Sequence, residues 1–170
     1  MTTVDYTQFV KKFDLPEGFD APVELRYEDV VASAITRDHL RDDVAGINAS
    51  FELIRRTRGG EWPSEPTTEE VNFTWLVWHE LEFAEGKSFT YALYTTEPRY
   101  LGCAYLYPPG RRGPLTEELA AFDVDASWWV TPDAYEQGYY RKAYDALRRW
   151  LTAEFPFQRP YFSNVEIPDA

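Results

Sequence analysis

The sequence predicts a single domain of the mixed α/β class (α+β), in which helices flank a central, mostly antiparallel sheet. Residues 122–151 read as a strand, a turn with one glycine and an amphipathic helix. Residues 88–107 read as a β-hairpin. The chain has 170 residues, of which 44% are hydrophobic and 17% aromatic, and this suits one domain with a sizeable core.

Composition excludes several classes of function. The formal net charge of −12 argues against a general affinity for nucleic acid or for anionic membranes, because both need a basic surface. The single cysteine, Cys103, excludes an internal disulfide and is expected to be a buried, inert thiol. His39, His79 and Cys103 lack the spacing of metal ligands, so no metal site is expected. Without a leader or a long apolar run, a soluble cytoplasmic protein is predicted.

The first third of the chain predicts an arm, two strands and two helices. Residues 1–22 are interpreted as an N-terminal arm that packs outside the domain formed by residues 23–170, with a short helix around Phe9 and Phe13. Residues 23–27 and 30–35 are β-prone, and Thr36 is a suitable cap for a helix over residues 37–50. Residues 51–56 add a second helical piece.

A basic cluster and an aromatic stripe follow. The run Arg55-Arg56-Thr57-Arg58 is interpreted as a solvated helix face, with contact to a 3′-phosphate as the alternative. Thr67 and Glu70 have the spacing of a capping box for a helix that continues to about residue 84. Four apolar residues of that helix recur at helical spacing and are predicted to face the core: Val71, Trp75, Trp78 and Leu81.

The central stretch of the chain begins with a predicted strand over residues 122–130. Thr131 and Pro132 end this strand and favour the start of a helix. A later helix has one apolar face, formed by Tyr140, Ala143, Tyr144, Leu147, Trp150 and Leu151. Gly138, between strand and helix, indicates either a tight turn or a loop that lets an anion approach a helix N-terminus. Residues 161–167 read as a last strand, parallel to residues 122–130.

With this order of elements, residues 30–167 resemble the GCN5-related N-acetyltransferases (GNAT family). Leu101-Gly102-Cys103-Ala104-Tyr105-Leu106 looks like the third strand of that family, paired with a second strand over residues 89–93. Trp129-Val130-Thr131-Pro132, leading to Gly138, looks like the fourth strand and the pyrophosphate loop. The resemblance implies a GNAT-like mixed sheet with a splayed pair of fourth and fifth strands.

The resemblance also implies a co-substrate and the residues that hold it. In the family this is acetyl-CoA, whose pantetheine arm adds along the fourth strand, here Trp128, Trp129 and Val130. Its pyrophosphate would lie on loop N–H groups, a set implied here to comprise Gln137, Gly138, Tyr139, Tyr140 and Arg141. The implied reaction is direct acetyl transfer to an unidentified primary amine, on a small molecule or as an exposed amino group.

Two departures from the family pattern leave an alternative open. The family loop reads Q/R-x-x-G-x-G/A, and the aligned positions here are Tyr135, Gly138 and Tyr140, so only the middle glycine is kept. The Tyr140 ring leaves the loop accessible only if it turns into the core. The family's C-terminal helix with its general-acid tyrosine has no counterpart here, and an uncovered sheet edge favours a homodimer. The alternative is a catalytically degenerate protein of this fold that binds an acyl-CoA, another small ligand or a protein partner.

Acetyl transfer needs a base for the amine, a donor for the oxyanion and a proton for the thiolate. Asp125 and Asp123 are the candidate bases, because they alternate onto one face of the predicted strand. Solvent-facing acidic residues are the plainer interpretation of both. Three glutamates of the preceding helix are rival bases: Glu80, Glu82 and Glu85. His79 is a further candidate. A backbone N–H near Trp129 or Val130 is expected to be the oxyanion donor.

Overall fold

The computed structural model describes Thr3 and residues 5–169 and contains one six-stranded sheet in the order β1-β2-β3-β4-β5-β6. The strands are β1 (Glu24–Tyr27), β2 (Val30–Ala34), β3 (Phe89–Thr95), β4 (Tyr100–Tyr107), β5 (Val124–Val130) and β6 (Pro160–Phe162). All neighbouring strands are antiparallel except β5 and β6, which are parallel. The predicted mixed, mostly antiparallel sheet is confirmed.

Five α-helices flank the sheet in the part of the chain that the structure describes. They are α1 (Leu40–Ala49), α2 (Phe51–Arg58), α3 (Glu69–Ala84), α4 (Pro132–Glu136) and α5 (Tyr139–Ala153). Over the same residues, no helix is long and apolar enough to cross a membrane. Thr36 caps a 3₁₀ turn, Arg37–His39, that leads into α1, as predicted. The cap of α3 is Thr68, whose side chain accepts from the N–H of Val71, and the predicted Thr67 cap is wrong.

The two faces of the sheet bury two separate apolar clusters, as strand alternation requires. The larger cluster lies under α5 and contains Trp128, Tyr140, Leu147 and Trp150. The smaller cluster lies on the other face, where Ile47 of α1, Ile54 of α2 and Leu76 of α3 pack with Cys103, Tyr105 and Trp129. Cys103 is buried, as predicted.

The apolar stripe predicted to bury α3 is wrong. Val71, Trp75, Trp78 and Leu81 are each more than half exposed. The buried residues of α3 are Asn72, Leu76 and Glu82. Asn72 donates to Asp43 of α1 at 2.7 Å, and Glu82 forms an ion pair with Arg111, so partners elsewhere in the fold satisfy the polar groups of the buried face.

Residues 5–22 form an arm without the predicted short α-helix, and the one helical element among them is a 3₁₀ turn, Tyr6–Gln8. The arm is held on the domain by polar and aromatic contacts. Lys11 Nζ donates to the carbonyl oxygens of Ala120 and Phe122 at 2.8 Å, and Phe13 stacks on Phe89 with ring centroids 5.5 Å apart.

Candidate active site

Strand β5 is the element that organises the candidate site. Asp125, Ser127 and Trp129 face α1, α2 and α3, whereas Trp128 and Val130 face α5. The strand comes very close to β4, because a Cβ built on Gly102 would lie 2.0 Å from the carbonyl oxygen of Trp129. Only glycine therefore fits at position 102, which explains the glycine of the predicted third-strand motif.

The splay of the last two strands begins early in β5. The register pairs Val124–Ala126 with Pro160–Phe162 and goes no further. The predicted last strand over residues 161–167 is therefore too long, and only its first residues pair with β5. Beyond that point the side chain of Asn164, rather than a strand, occupies the edge of β5. Its Oδ1 accepts from the N–H of Trp128 at 3.1 Å, and its Nδ2 donates to the Trp128 carbonyl at 2.9 Å.

The backbone N–H groups of β5 point alternately towards β4 and towards the splayed side. The N–H of Thr131 donates to the carbonyl of Leu101 on β4, so the N–H of Trp129 points to the same side. Trp128 and Val130 present their N–H groups to the splayed side. Of the two predicted oxyanion donors, Val130 therefore lies on the splayed edge and Trp129 does not.

The turn between β5 and α5 holds the predicted pyrophosphate-binding residues. Thr131 caps α4 by accepting from the N–H of Ala134, with Pro132 in the first turn. Gly138 then adopts a left-handed conformation (φ +85°) and is the N-cap of α5. A Cβ at Gly138 would meet nothing within 4 Å, so the N-terminus of α5 opens onto free space.

The side chains of Gln137, Tyr139 and Arg141 each have a hydrogen-bond or ion-pair partner. Gln137 accepts a hydrogen bond from Arg99, which brings a cation beside the loop. The Tyr139 hydroxyl donates to Asp29, and Arg141 pairs with Asp145 at 3.8 Å. Their side chains therefore point away from the open N-terminus of α5, and any anion there would meet backbone N–H groups and the positive end of the helix dipole.

The Tyr140 ring turns into the core, as expected for a tyrosine at a small-residue position. It packs 5.0 Å from the Trp128 ring, and the Trp128 indole donates to the Tyr140 carbonyl at 3.1 Å. Its hydroxyl, however, donates to the carbonyl of Glu166 and accepts from Asn164 Nδ2 at 2.9 Å. These contacts fill the channel that the splay would leave beside Tyr140, between the end of β5 and the chain after β6.

We call residues 163–166 the covering segment. Besides the contacts of Asn164, Glu166 donates its N–H to the carbonyl of Thr57 at 3.0 Å, and its carboxylate accepts from the Tyr135 hydroxyl at 2.6 Å. Arg112 donates to the Ser163 hydroxyl at 2.7 Å. The covering segment thus bridges α2, α4 and α5 across the splayed edge of β5.

The two predicted bases have different environments. Asp125 is buried, and its Oδ1 has no hydrogen-bond partner. Burial raises the pKa of Asp125 above the usual aspartate range, although a hydrogen bond from Ser163 and the nearby arginines oppose the shift. Asp123 instead accepts from the backbone N–H groups of Gln158 and Arg159, so its carboxylate orders the turn before β6. A buried carboxyl with a raised pKa and one oxygen without a hydrogen-bond partner is typical of a functional group, and this favours Asp125 over Asp123 as a candidate base.

The rival bases on α3 are all engaged in ion pairs. Glu80 pairs with Arg37 at 2.8 Å, Glu85 with Lys87 at 2.5 Å, and Glu82 with Arg111. His79 accepts from or donates to Thr90 at 3.1 Å. Burial lowers the pKa of His79 to about 4, so its imidazole is neutral near pH 7.

A cavity of about 340 Å³ lies on the Asp125 face of the sheet, between α3 and the loops after α2 and β4. We call it the arginine cavity, and its defining residues are Arg58, His79, Tyr105, Arg111 and Arg112. Trp62 and Trp75 also line it and are partly exposed, so they border its opening.

Sequence reasoning missed the part that Arg58 takes in this cavity. Arg55 and Arg56 are exposed, as expected for a solvated face, but Arg58 is only 7% exposed. Its Nε donates to Ser127 Oγ at 3.1 Å, and its guanidinium lies 4.1 Å from the centroid of the Tyr105 ring. Its position as the last residue of α2, next to Gly59 and Gly60, was the available signal.

Comparison with known proteins identifies the fold. No family model and no curated protein matches the sequence. Among solved structures, the chain is similar to RimL, a ribosomal L7/L12 alpha-N-protein acetyltransferase in complex with coenzyme A (TM-score 0.57, 13% identity, covering 79% of this chain and 69% of that one). It is also similar to the ribosomal-protein-S5-alanine acetyltransferase from Vibrio fischeri (TM-score 0.57, 11% identity, 76% and 67% covered).

A third similar structure is the microcin C7 self-immunity acetyltransferase MccE in complex with acetyl-CoA and AMP (TM-score 0.53, 9% identity, 76% and 67% covered). At these identities the similarity establishes the fold. The predicted resemblance is confirmed at that level: this chain has the fold of the GNAT-family acetyltransferases.

Proposed function

We propose that this protein is an acyl-CoA-dependent N-acyltransferase that transfers an acetyl group from acetyl-CoA directly to a primary amine. The observation that carries the proposal is the unit formed by β5, the turn at Gly138 and the open N-terminus of α5. It combines a strand edge, an exposed set of backbone N–H groups and a neighbouring cation, Arg99. Structures of this fold hold coenzyme A or acetyl-CoA, which supports an acyl-CoA as co-substrate.

The residues present suit the pyrophosphate of acetyl-CoA, whereas the covering segment occupies the edge along which its pantetheine would run. The turn at Gly138 would receive the pyrophosphate on the first N–H groups of α5. The pantetheine would run along the edge of Trp128 and Val130, where its amides can pair with the backbone as a strand does. Because Asn164 holds the Trp128 edge, the covering segment has to give up those hydrogen bonds when acetyl-CoA binds.

Two groups of the chain would then take part in the chemistry. Asp125 would take the proton from the attacking amine, and its raised pKa makes it a stronger base than an exposed aspartate. The N–H of Val130 would donate to the oxygen of the tetrahedral intermediate. Val130 lies five residues from Asp125 on β5, about 16 Å at ~3.3 Å per residue, so the amine proton would reach Asp125 through bridging water. As the intermediate collapses, the C–S bond breaks and the thiolate leaves with a proton from solvent or from Asp125.

A second candidate is a protein of this fold that binds a ligand without transferring an acyl group. The observation that favours it is the closure of the channel beside Tyr140 by Asn164 and Glu166. In that case the arginine cavity would remain a binding site while the β5 edge stays covered.

A thermal-shift titration with acetyl-CoA and with CoA separates the two candidates. A ligand at about one hundred times its dissociation constant stabilises the folded state by about 2.7 kcal/mol, which is a visible rise of the midpoint. The Arg99→Gln variant should weaken this effect, and Arg26→Gln, an exposed arginine on β1, serves as the matched control. A flat midpoint at millimolar acetyl-CoA would favour the second candidate.

The finer features stay part of the proposal. The acceptor is either a small amine or the amino group of a larger molecule, and the two ribosomal-protein acetyltransferases above show by their names that this fold serves protein acceptors. A cytoplasmic location and a homodimer are also proposed. Light scattering coupled to size exclusion tests the dimer, because a mass near 19.8 kDa would contradict it.

A further inference from the structure

The arginine cavity has more positive than negative charge, although the protein as a whole is strongly acidic. Its charged lining residues are Arg58, Arg111, Arg112, Asp43 and Glu61. The Asp43 carboxylate is engaged at one side of the cavity, where it accepts from Asn72 and the Tyr100 hydroxyl. Three arginines around one cavity of a protein of net charge −12 are a local concentration of cations, although Glu82 neutralises Arg111.

Two of the three arginines have no carboxylate within ion-pair distance among the described residues, although the charge of Asp125 is near enough to act on both. Arg111 pairs with Glu82, but Arg58 and Arg112 form no ion pair within 4.0 Å with any residue that the structure describes. Arg112 donates instead to neutral acceptors, the Ser163 hydroxyl at 2.7 Å and the Arg58 carbonyl at 3.2 Å. Burial and the nearby Arg58 lower the pKa of Arg112 to about 10. Asp125 offsets part of the repulsion between these two buried guanidinium groups, and a bound anion would offset more of it.

Arg58 is held so that part of its guanidinium remains available. The side chain is more than nine-tenths buried, its Nε is fixed by Ser127, and its plane rests on the Tyr105 ring. Its two terminal nitrogens donate to no group among the described residues, and the side chain lines the cavity. A planar guanidinium with its two terminal nitrogens free can bind a carboxylate or a phosphate through that one edge in a bidentate manner.

The volume and the aromatic lining of the arginine cavity limit the size and the shape of the ligand. Its volume of about 340 Å³ is near the lower end of small-molecule sites. Trp62, Trp75 and Tyr107 line it together with Tyr105, so a flat or apolar body can pack between aromatic rings.

We infer that the arginine cavity binds the carboxylate or phosphate group of an acidic amine, and that this amine is the acceptor substrate. Arg58 contacts Ser127, two residues from Asp125 on the same face of β5, so an acceptor anchored at Arg58 lies on the side of the candidate base. The role of the ligand as acceptor rests on the proposed function. The binding of an anion to the cavity does not.

The experiment measures anion binding by the full chain without acetyl-CoA. Inorganic phosphate and benzoate are the probes, benzamide is the neutral counterpart of benzoate, and calorimetry or tryptophan fluorescence is the readout. The variants are Arg58→Gln and Arg112→Gln. Arg55→Gln is the matched control, because Arg55 lies on the same helix and is exposed. Loss of a charge-assisted hydrogen bond should weaken binding by about tenfold or more in the cavity variants.

Each result decides the inference. Binding of benzoate or phosphate that weakens in Arg58→Gln and Arg112→Gln, but not in Arg55→Gln, supports it, and the tighter probe identifies the oxyacid. Equal binding by all variants, equal affinity for benzamide and benzoate, or no binding at millimolar concentration overturns it. If Arg58→Gln does not fold, Arg112→Gln and Arg58→Lys decide.

The inference and the proposed function fail in different ways. Acetyl-CoA binding that persists while phosphate and benzoate do not bind refutes the anion site alone. Anion binding that persists while acetyl-CoA does not bind refutes the transferase alone and leaves the cavity as a ligand site. Transfer to acidic and neutral amines with equal KM would show that the anion site does not serve the acceptor.

Discussion

Replacing Asn164 by alanine tests how the covering segment is held against β5. The Asn164 side chain makes three hydrogen bonds in a buried setting, two to the backbone of Trp128 and one to the Tyr140 hydroxyl. Alanine removes all three and leaves an N–H and a carbonyl of Trp128 without a protein partner. Trp128 is fully buried, so the loss falls on groups that water reaches poorly.

The size of the effect follows from those two backbone groups. Leaving a buried donor or acceptor unsatisfied costs about 1–3 kcal/mol, so the variant should lose about 2–6 kcal/mol in the free energy of unfolding. For a domain of this length, 1 kcal/mol corresponds to about 2–4 °C. The midpoint should therefore fall by about 4–24 °C.

The chain supplies a matched control in Asn48. Its side chain also bridges the N–H and the carbonyl of one residue, Thr67, at 2.9 and 3.0 Å, but it is exposed. Water can replace that amide, so Asn48→Ala should change the free energy of unfolding by no more than about 1 kcal/mol. Thermal or urea unfolding of both variants, followed by circular dichroism, gives the comparison.

The same variant examines the proposed competition for the Trp128 edge. Because alanine leaves that edge free, stabilisation by acetyl-CoA should be at least as large in Asn164→Ala as in the natural chain. If Asn164→Ala is no less stable than Asn48→Ala, the covering segment is not held as described. If it is destabilised but loses acetyl-CoA binding, Asn164 assists the co-substrate instead of competing with it.

Three further predictions concern single positions. Gly102→Ala should destabilise the fold by more than about 2 kcal/mol, whereas Gly138→Ala, strained only by its positive φ, should cost about 1 kcal/mol. Urea unfolding of both variants distinguishes them, and equal losses of free energy would contradict the close approach of Gly102 to Trp129. Asp125→Asn should be more stable than the natural chain near pH 7, because burial raises the pKa of Asp125 above its unfolded value and the unfolded chain then binds fewer protons than the folded chain. This advantage should fade as the pH falls to the usual aspartate range. A loss of stability at pH 7 would be the contrary result. The free energy of unfolding of Trp75→Gln should stay within about 0.5 kcal/mol of that of the natural chain, while Leu76→Ala loses about 2–5 kcal/mol. Denaturant midpoints that rank the two variants in the opposite order would show that the Trp75 face is the buried one.

The sequence was sufficient to predict the sheet and the strand-turn-helix unit, because those patterns are local. The hairpin of β3 and β4, the Thr131 cap and the apolar face of α5 each depend on residues within one or two turns of chain. The inward turn of Tyr140 also follows from helical spacing alone.

The prediction for α3 was wrong because apolar residues occur on more than one side of that helix. The stripe through Trp75 and Trp78 and the stripe through Leu76 and Phe83 both have helical spacing, so periodicity cannot choose between them. The choice depends on Asn72 and Glu82, whose partners, Asp43 and Arg111, are distant in sequence. Long-range polar pairing decided the orientation.

The arginine cavity and the covering segment were beyond sequence reasoning for the same reason. Arg58 meets Ser127, and Asn164 meets Trp128, across 69 and 36 positions of the chain. A basic run and a lone asparagine have no pattern that reports such partners. Asp125 was predicted from strand alternation, but its unpartnered oxygen and its nearness to Arg112 became visible only in the fold.

The central claim is acyl transfer, and release of free thiol from acetyl-CoA measures it most directly. The assay compares the natural chain with Asp125→Asn and offers amines that carry a carboxylate or phosphate alongside their neutral counterparts. Thiol release that depends on an acidic amine, yields the N-acetylated product by mass spectrometry and is lost in Asp125→Asn is the predicted result. Acetyl-CoA that binds but releases no thiol with any amine would contradict the account and leave a binding protein of the same fold.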